Sequence, residues 1–179
     1  RARSAREAVE IAGALIEEFG YTSGRSYQFC DKNEAWVFQI PTGRRYVAKR
    51  IPDDHVYMIP NNYTIHEVDF ADTEHKNCYF SKDLVEYAMK NGWYQPAVPG
   101  DYSDFDFARA YQDGPDKVHN LIRARQTWPI LLGERPEEWR PFSRKAPRKY
   151  TVAELRRLLS SHFEGTEDDY NNGYERNPH

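Results

Sequence analysis

From Ser26 to Ile59 the chain offers four short candidate strands in quick succession: Ser26 to Cys30, Glu34 to Ile40, Arg45 to Ile51 and His55 to Ile59. Their connectors are Asp31-Lys32-Asn33, Pro41-Thr42-Gly43 and Pro52-Asp53-Asp54. Parallel neighbours need a crossover of a dozen residues or more, so connectors this short force antiparallel pairing. The connector residues are turn formers for separate reasons: Pro fixes φ, Gly supplies positive φ, and Asp and Asn bond their own backbone. Trp36, Phe38 and Ile40 alternate onto one face of the second strand. Val37 makes the other face apolar too, which predicts cover on both sides.

A helix precedes this meander, from Ser4 to Phe19. Ser4 and Glu7 have the Ser-x-x-Glu spacing of a capping box, and Gly20 stands where a C-terminal cap is expected. Ala8, Ile11, Ala12, Leu15, Ile16 and Phe19 predict the apolar stripe. A helix with one apolar stripe lies on something, and the sheet is at hand. The expected fold class is α+β, an antiparallel sheet with packed helices.

The expected organisation is one domain in two segments. Residues 1–65 supply the helix and sheet, and residues 66–179 are mostly helix and loop. Residues 66–80 read as an acidic loop. Ser81 is placed to cap a helix from Lys82 to about Asn91, with Leu84, Val85 and Ala88 inward and Gly92 ending it. Trp93 to Asp104 reads as an ordered aromatic loop, and Phe105 to Tyr111 as a short helix. A further helix is predicted from Pro115 to Thr127, with Pro129 as its terminator. Residues 133–149 form a Pro- and Arg-rich connector. Thr151 and Glu154 repeat the capping-box pattern and open a helix through Phe163 on Val152, Leu155, Leu158 and Leu159. The polar tail from Glu164 is expected to be loop.

Composition narrows the function classes. The chain has 179 residues, enough for one domain or a piece of a larger one. Lysine and arginine total 25 against 28 acidic residues, with no strongly basic half, so a nucleic-acid footprint is not visible. No run of about 18 apolar residues exists to cross a membrane as a helix. The two cysteines, Cys30 and Cys78, and the six histidines lack metal-ligand spacing, so no metal or cofactor is expected. Nothing here indicates a cellular compartment.

Several residues could carry chemistry. Pro60-Asn61-Asn62 follows a strand directly, and a neutral side-chain amide at a rigid strand end can point an N–H at developing negative charge. The same pair also makes an ordinary turn. Asp53 and Asp54 could act as paired carboxylates, or simply as turn residues. Cys30 could be a nucleophile if a base stood nearby, or a small buried hydrophobe at a strand end. Cys78, in the predicted loop, is expected to be the more exposed of the two. Arg123 and Arg125 fall on one predicted helix but two residues apart, so at most one faces a given site.

The run Asn33-Glu34-Ala35-Trp36-Val37, then Tyr46 to Asp54, then Ile59-Pro60-Asn61, resembles the dipeptidase A family of cysteine dipeptidases. So do Gly92-Trp93-Tyr94-Gln95-Pro96, Phe105-Asp106-Phe107-Ala108, Pro141-Phe142-Ser143 and His162 to Glu167, all in the family's order. The resemblance implies part of an N-terminal-nucleophile hydrolase αββα sandwich. It also implies a mature first-residue cysteine whose own α-amino group is the base. Such an amine has a pKa of roughly 7.7 to 8.0, close to working pH. The family's strand-end Asn matches Asn61, with Asn62 as the alternative, and its helical Arg matches Arg123 or Arg125.

The first residue is Arg1, not Cys, and the preceding segment that would carry the family's cysteine and first sheet strands is not among these 179 residues, so the expectation is an internal fragment, inactive alone, with an incomplete core. Its partners would be a dipeptide substrate and either a second copy or the remainder of the protein, with no nucleic acid or membrane. A dipeptide carries one ammonium and one carboxylate. Asp53, Asp54, Glu164 and Glu167 are candidates for the first, and Arg123 or Arg125 for the second. Two rival expectations are a binding-only domain reading ligands with its Trp93–Phe107 loop, and an enzyme using Cys30. The latter needs Cys30 exposed beside a His or Asp.

Overall fold

The computed structural model describes residues 1–112, 118–134 and 141–170. Helix α1 (Ala5–Phe19) is followed by strands β1 (Arg25–Cys30), β2 (Ala35–Ile40) and β3 (Val47–Ile51), each antiparallel to the next. The class is α+β, as the short connectors require. The fourth predicted strand behaves differently. As β4 (His55–Tyr57) it leaves the sheet and pairs with β6 (Ser143–Lys145) in a separate two-stranded ladder. Its place beside β3 is taken by β5 (Cys78–Phe80), giving the order β1-β2-β3-β5.

Strand β5 lies in the stretch predicted as acidic loop. The acidity serves the strand: the Asp72 carboxylate accepts the backbone N–H groups of Lys76, Asn77 and Cys78 and delivers Cys78 to the β3 edge. Residues 66–170 therefore contribute two strands as well as helices.

The sheet is covered on both faces, as Val37 predicted. On one face Trp36, Phe38, Ile40, Tyr46, Ala48 and Tyr79 pack against Val9 and Ile16 of α1. On the other, Val37, Val47 and Cys78 pack against α2 (Leu84–Lys90) and α3 (Phe107–Tyr111). The α1 stripe is the predicted one only in part: Ile16 is buried and Ala8 and Ala12 are half-buried, but the centre of the face is rotated. Ala5, Val9, Gly13 and Ile16 are buried, whereas Leu15 and Phe19 are 49% and 70% exposed. The sheet approaches the small-residue side: a Cβ at Gly13 would fall 2.4 Å from the Tyr46 hydroxyl oxygen.

Two helix ends also depart from expectation. Ser81 does not cap α2; its Oγ accepts the Tyr46 N–H at 2.8 Å and ties α2 to the sheet. Helix α4 (Val118–Leu132) runs through Pro129, because Trp128 and Leu131 on either side are buried. That packing outweighs the one intrahelical bond proline removes. Residues 113–117, including Pro115, lie outside the described residues.

The last helix, α5 (Val152–Leu159), forms its complete capping box but stops at Ser160, and no residue of it is buried. Phe163 lies beyond it with φ of 61°. Among the described residues no helix is long and apolar enough to cross a membrane.

Candidate functional site

The two asparagines sit on a strap, residues 60–66, that follows β4, which ends at Tyr57 rather than Ile59, and is bonded to β2. The strap is not a strand, yet its backbone groups are satisfied. Gln39 of β2, fully buried, turns its side-chain amide into a substitute for a neighbouring strand. Its Oε1 accepts the N–H groups of Thr64 and Ile65 at 3.1 and 3.0 Å, and its Nε2 donates to Thr64 Oγ1. The Tyr63 hydroxyl donates to the Ile40 carbonyl at 2.8 Å. From the other side, the N–H groups of Phe107 and Ala108 donate to the carbonyls of His66 and Ile65.

This fixes the two asparagines. Asn61 is exposed, with φ of 67°, a conformation that asparagine tolerates better than most residues. Asn62 is half-buried. Its Nδ2 donates to the Tyr63 carbonyl, while its Oδ1 is buried without a partner among the described residues. A buried orphan amide oxygen is costly in a stable fold, which makes Asn62 the more unusual of the pair.

Helix α4 lies over β4, with Ala124, Trp128 and Leu131 packed against Val56 and Met58. Beside this contact a cavity of about 820 Å³ opens between β4, α4, α5 and the 161–170 loop. Its walls are mostly apolar, with Met58, Ile59, Leu131, Leu155 and Phe163 among them. Arg123 is the one cation in the wall. It has no ion pair among the described residues.

Arg125, two residues on, faces elsewhere. Its Nε donates to Asp168 at 3.0 Å, its Nη2 reaches the same carboxylate, and Gln126 bonds Asp168 too. Asp168 is 7% exposed, so this clamp holds the 161–170 loop onto α4.

The other expected site residues are scattered. Asp53 pairs with Arg50, and Asp54 with Lys145, whose hydrogen bond holds the Asp54 carboxyl below its ordinary value. Both lie in the β3–β4 turn and neither lines the cavity. Glu164 accepts from Ser161 and the His162 N–H, and Glu167 stands 3.7 Å from Arg125. Asn61 and Asn62 follow the cavity wall at Ile59 but are not part of it.

The cysteines reverse their expected exposures. Cys30 is exposed and bonds no His or carboxylate among the described residues. Cys78 is buried in β5, and burial pushes its thiol up to about 11. Burial thus disfavours the thiolate that a nucleophile needs at Cys78. Residues the sequence did not single out are Thr127, Tyr150 and His162, all lining the cavity. Only the helical spacing of Thr127 from Arg123, four residues, could have pointed to one of them.

Peptidase family C69 matches residues 1–179, and the chain belongs to that family. It is 31% identical over 179 residues to a "probable dipeptidase" of Latilactobacillus sakei, covering 96% of this chain and 36% of that protein. It is also 31% identical over 187 residues to a dipeptidase of Bifidobacterium longum, covering 93% of this chain and 34% of that one. To dipeptidase A of Lactobacillus helveticus it is 28% identical over 173 residues, covering 93% of this chain and 35% of the relative. The chain thus spans about a third of the length of these curated relatives.

Proposed function

We propose that this chain is part of a cysteine dipeptidase and supplies the substrate's carboxylate anchor and a wall of its binding cavity. Arg123 carries the reading: it is the guanidinium in the wall of a mostly apolar cavity and has no ion pair among the described residues, and a guanidinium holds a carboxylate through charge-assisted hydrogen bonds. Arg125 is committed to Asp168 and is assigned to structure. The strap asparagines, Asn61 or Asn62, offer a neutral amide N–H to the oxyanion that forms as the peptide carbonyl is attacked. The attacking thiolate belongs to a first-residue cysteine carried by polypeptide outside these 179 residues. Its α-amine takes the thiol proton and passes it to the leaving amine. The resulting thioester is then hydrolysed by water. Two things support an outside nucleophile: the relatives' length, and the places of the two cysteines, Cys78 being buried with its thiol pushed up and Cys30 bonding no histidine or carboxylate among the described residues.

The apolar side chains left open on α1 and α5, Phe19 and Leu159 at 70% and 86% exposed, favour association with further polypeptide. The test compares dipeptide hydrolysis by this chain and by one extended upstream to a first-residue cysteine. The expected result is turnover only in the extended chain. In that chain Arg123→Met should raise KM for dipeptides at least tenfold and spare a dipeptide amide, since one charge-assisted hydrogen bond is worth roughly 1.5–3 kcal/mol. Hydrolysis by the 179-residue chain alone would end the outside-nucleophile reading, and Cys30→Ala would be the next variant.

A further inference from the structure

The cavity under α4 has one wall that the packing of the fold does not account for. Helix α5 buries no residue, yet it is seated. Leu158 packs on the Trp128 and Leu131 cluster, and the Tyr150 hydroxyl, just before the helix, donates to the Leu131 carbonyl. Leu155, 41% exposed, lines the cavity together with Leu158. From β4 and the residues after it come Met58 and Ile59, both half-buried. These apolar side chains border a space of about 820 Å³, within the range of small-molecule sites.

The charge in this wall narrows what can fill it. Arg123 is exposed there, and no carboxylate accompanies it in the wall among the described residues. His162, also in the wall, stands 3.5 Å from the Glu164 carboxylate, and Asp168 is bonded to Arg125 and Gln126. A guanidinium beside open apolar side chains matches a molecule that carries a carboxylate next to an apolar group. A layer of apolar polypeptide in the same place would strip water from an unpaired charge, which is strongly unfavourable. The loop side of the cavity is already built. Phe163 donates its N–H to Ser161 Oγ at 3.0 Å, and its carbonyl accepts the Thr166 hydroxyl at 2.7 Å.

We infer that this cavity takes the C-terminal residue of the dipeptide and selects a large apolar side chain there, with Leu155 and Met58 as specificity-determining residues. In a dipeptide the C-terminal side chain and the carboxylate leave the same carbon, so one cavity reads both: Arg123 holds the carboxylate while Leu155 and Met58 cover the side chain. The identity of the molecule rests on the dipeptidase reading, whereas the match of a cation to apolar walls does not.

The experiment uses the chain extended upstream to a first-residue cysteine, with its methionine methyl groups labelled for NMR. Met58 reports on the cavity, and Met89, packed in the other core cluster, is the control. N-acetylleucine should shift Met58 saturably and leave Met89 in place. N-acetylasparagine, of similar size but polar, and N-acetylleucinamide, which lacks the carboxylate, should each bind about tenfold more weakly or worse. Leu155→Asn should weaken N-acetylleucine by about threefold or more, and Leu155→Met should retain it, since Leu and Met exchange at little cost. With dipeptides, kcat/KM for Ala-Leu should exceed that for Ala-Asn by about tenfold. A ratio of rates is unaffected by any loss of folded protein. Selective binding at Met58 without hydrolysis of any dipeptide would end the dipeptidase reading and leave the selectivity of the cavity standing. Hydrolysis with equal rates for Ala-Leu and Ala-Asn, or a Met58 signal that ignores N-acetylleucine because other polypeptide fills the cavity, would overturn the inference and leave the dipeptidase reading in place.

Discussion

The two ends of the chain carry helices with equally good local signals and opposite fates. Helix α1 begins at Ser4, whose Oγ accepts the Glu7 N–H, and buries four residues on the sheet. Helix α5 has the fuller cap, with Thr151 and Glu154 bonded reciprocally, and buries none. A cap and an apolar stripe make a helix begin; they do not say what will cover it. In α1 cover comes from small residues that let the sheet come close. In α5, Val152 and Leu159 stay 66% and 86% exposed. Helical stability in proteins is mostly tertiary, so α1 should be fixed by its sheet and α5 largely by its cap.

The difference can be broken most sharply in the sheet. Phe38 is fully buried and stacks on Tyr46 at 4.8 Å. Phe38→Ala should cost about 3–5 kcal/mol in urea unfolding, close to the stability of a small domain. Gly13→Ala is next, at about 1–3 kcal/mol, because the new methyl collides with the buried Tyr46 ring. Pairing it with Tyr46→Phe, which removes the nearest atom, should recover part of that loss. For α5, Thr151→Ala should cost about 1 kcal/mol, read as faster amide exchange in α5 with little change in the global midpoint. Leu159→Ala should fall within about 0.5 kcal/mol.

Acid should also separate the helices. Backbone and side-chain bonds from Thr151 and an ion pair with Arg148 bring the Glu154 carboxyl from 4.5 down to about 2. A folded-state pKa below the unfolded one contributes stability that is present above about 4.5 and lost as pH falls toward about 2. Amide exchange in α5 should therefore accelerate through that window. Glu154→Gln should remove most of the dependence.

The sequence was most legible where the deciding interactions are local. Strands β1 to β3, their turns and both capped helix starts follow from period-two alternation and from side chains within three residues of the backbone they serve. The pairing of β4 was not local. It depended on β5, whose three residues are hidden among acids that prove to be its supports. Burial in α1 was read correctly at Ile16 but its face was set off-centre, because the buried row Ala5, Val9, Gly13 runs through a glycine that hydrophobic periodicity does not count.

The site divides in the same way. The strand expected to end just before Asn61 and Asn62 stops at Tyr57, whereas the rule that Arg123 and Arg125 face different ways was visible. Which of the two is committed was not, since the partner that decides it, Asp168, lies 43 residues beyond Arg125. The exposures of Cys30 and Cys78 were reversed for the same reason, because the strand that buries Cys78 is set by distant pairing.

The strap that carries the asparagines is fastened by Gln39, by Tyr63 and by the backbone of α3, and none of those bonds joins two ionised groups. Debye screening therefore has nothing in them to weaken. The position of Asn61 and Asn62 should change little between dilute buffer and molar salt, and the contact of the strap that salt can reach is the one between His66 and Asp106 at its far end.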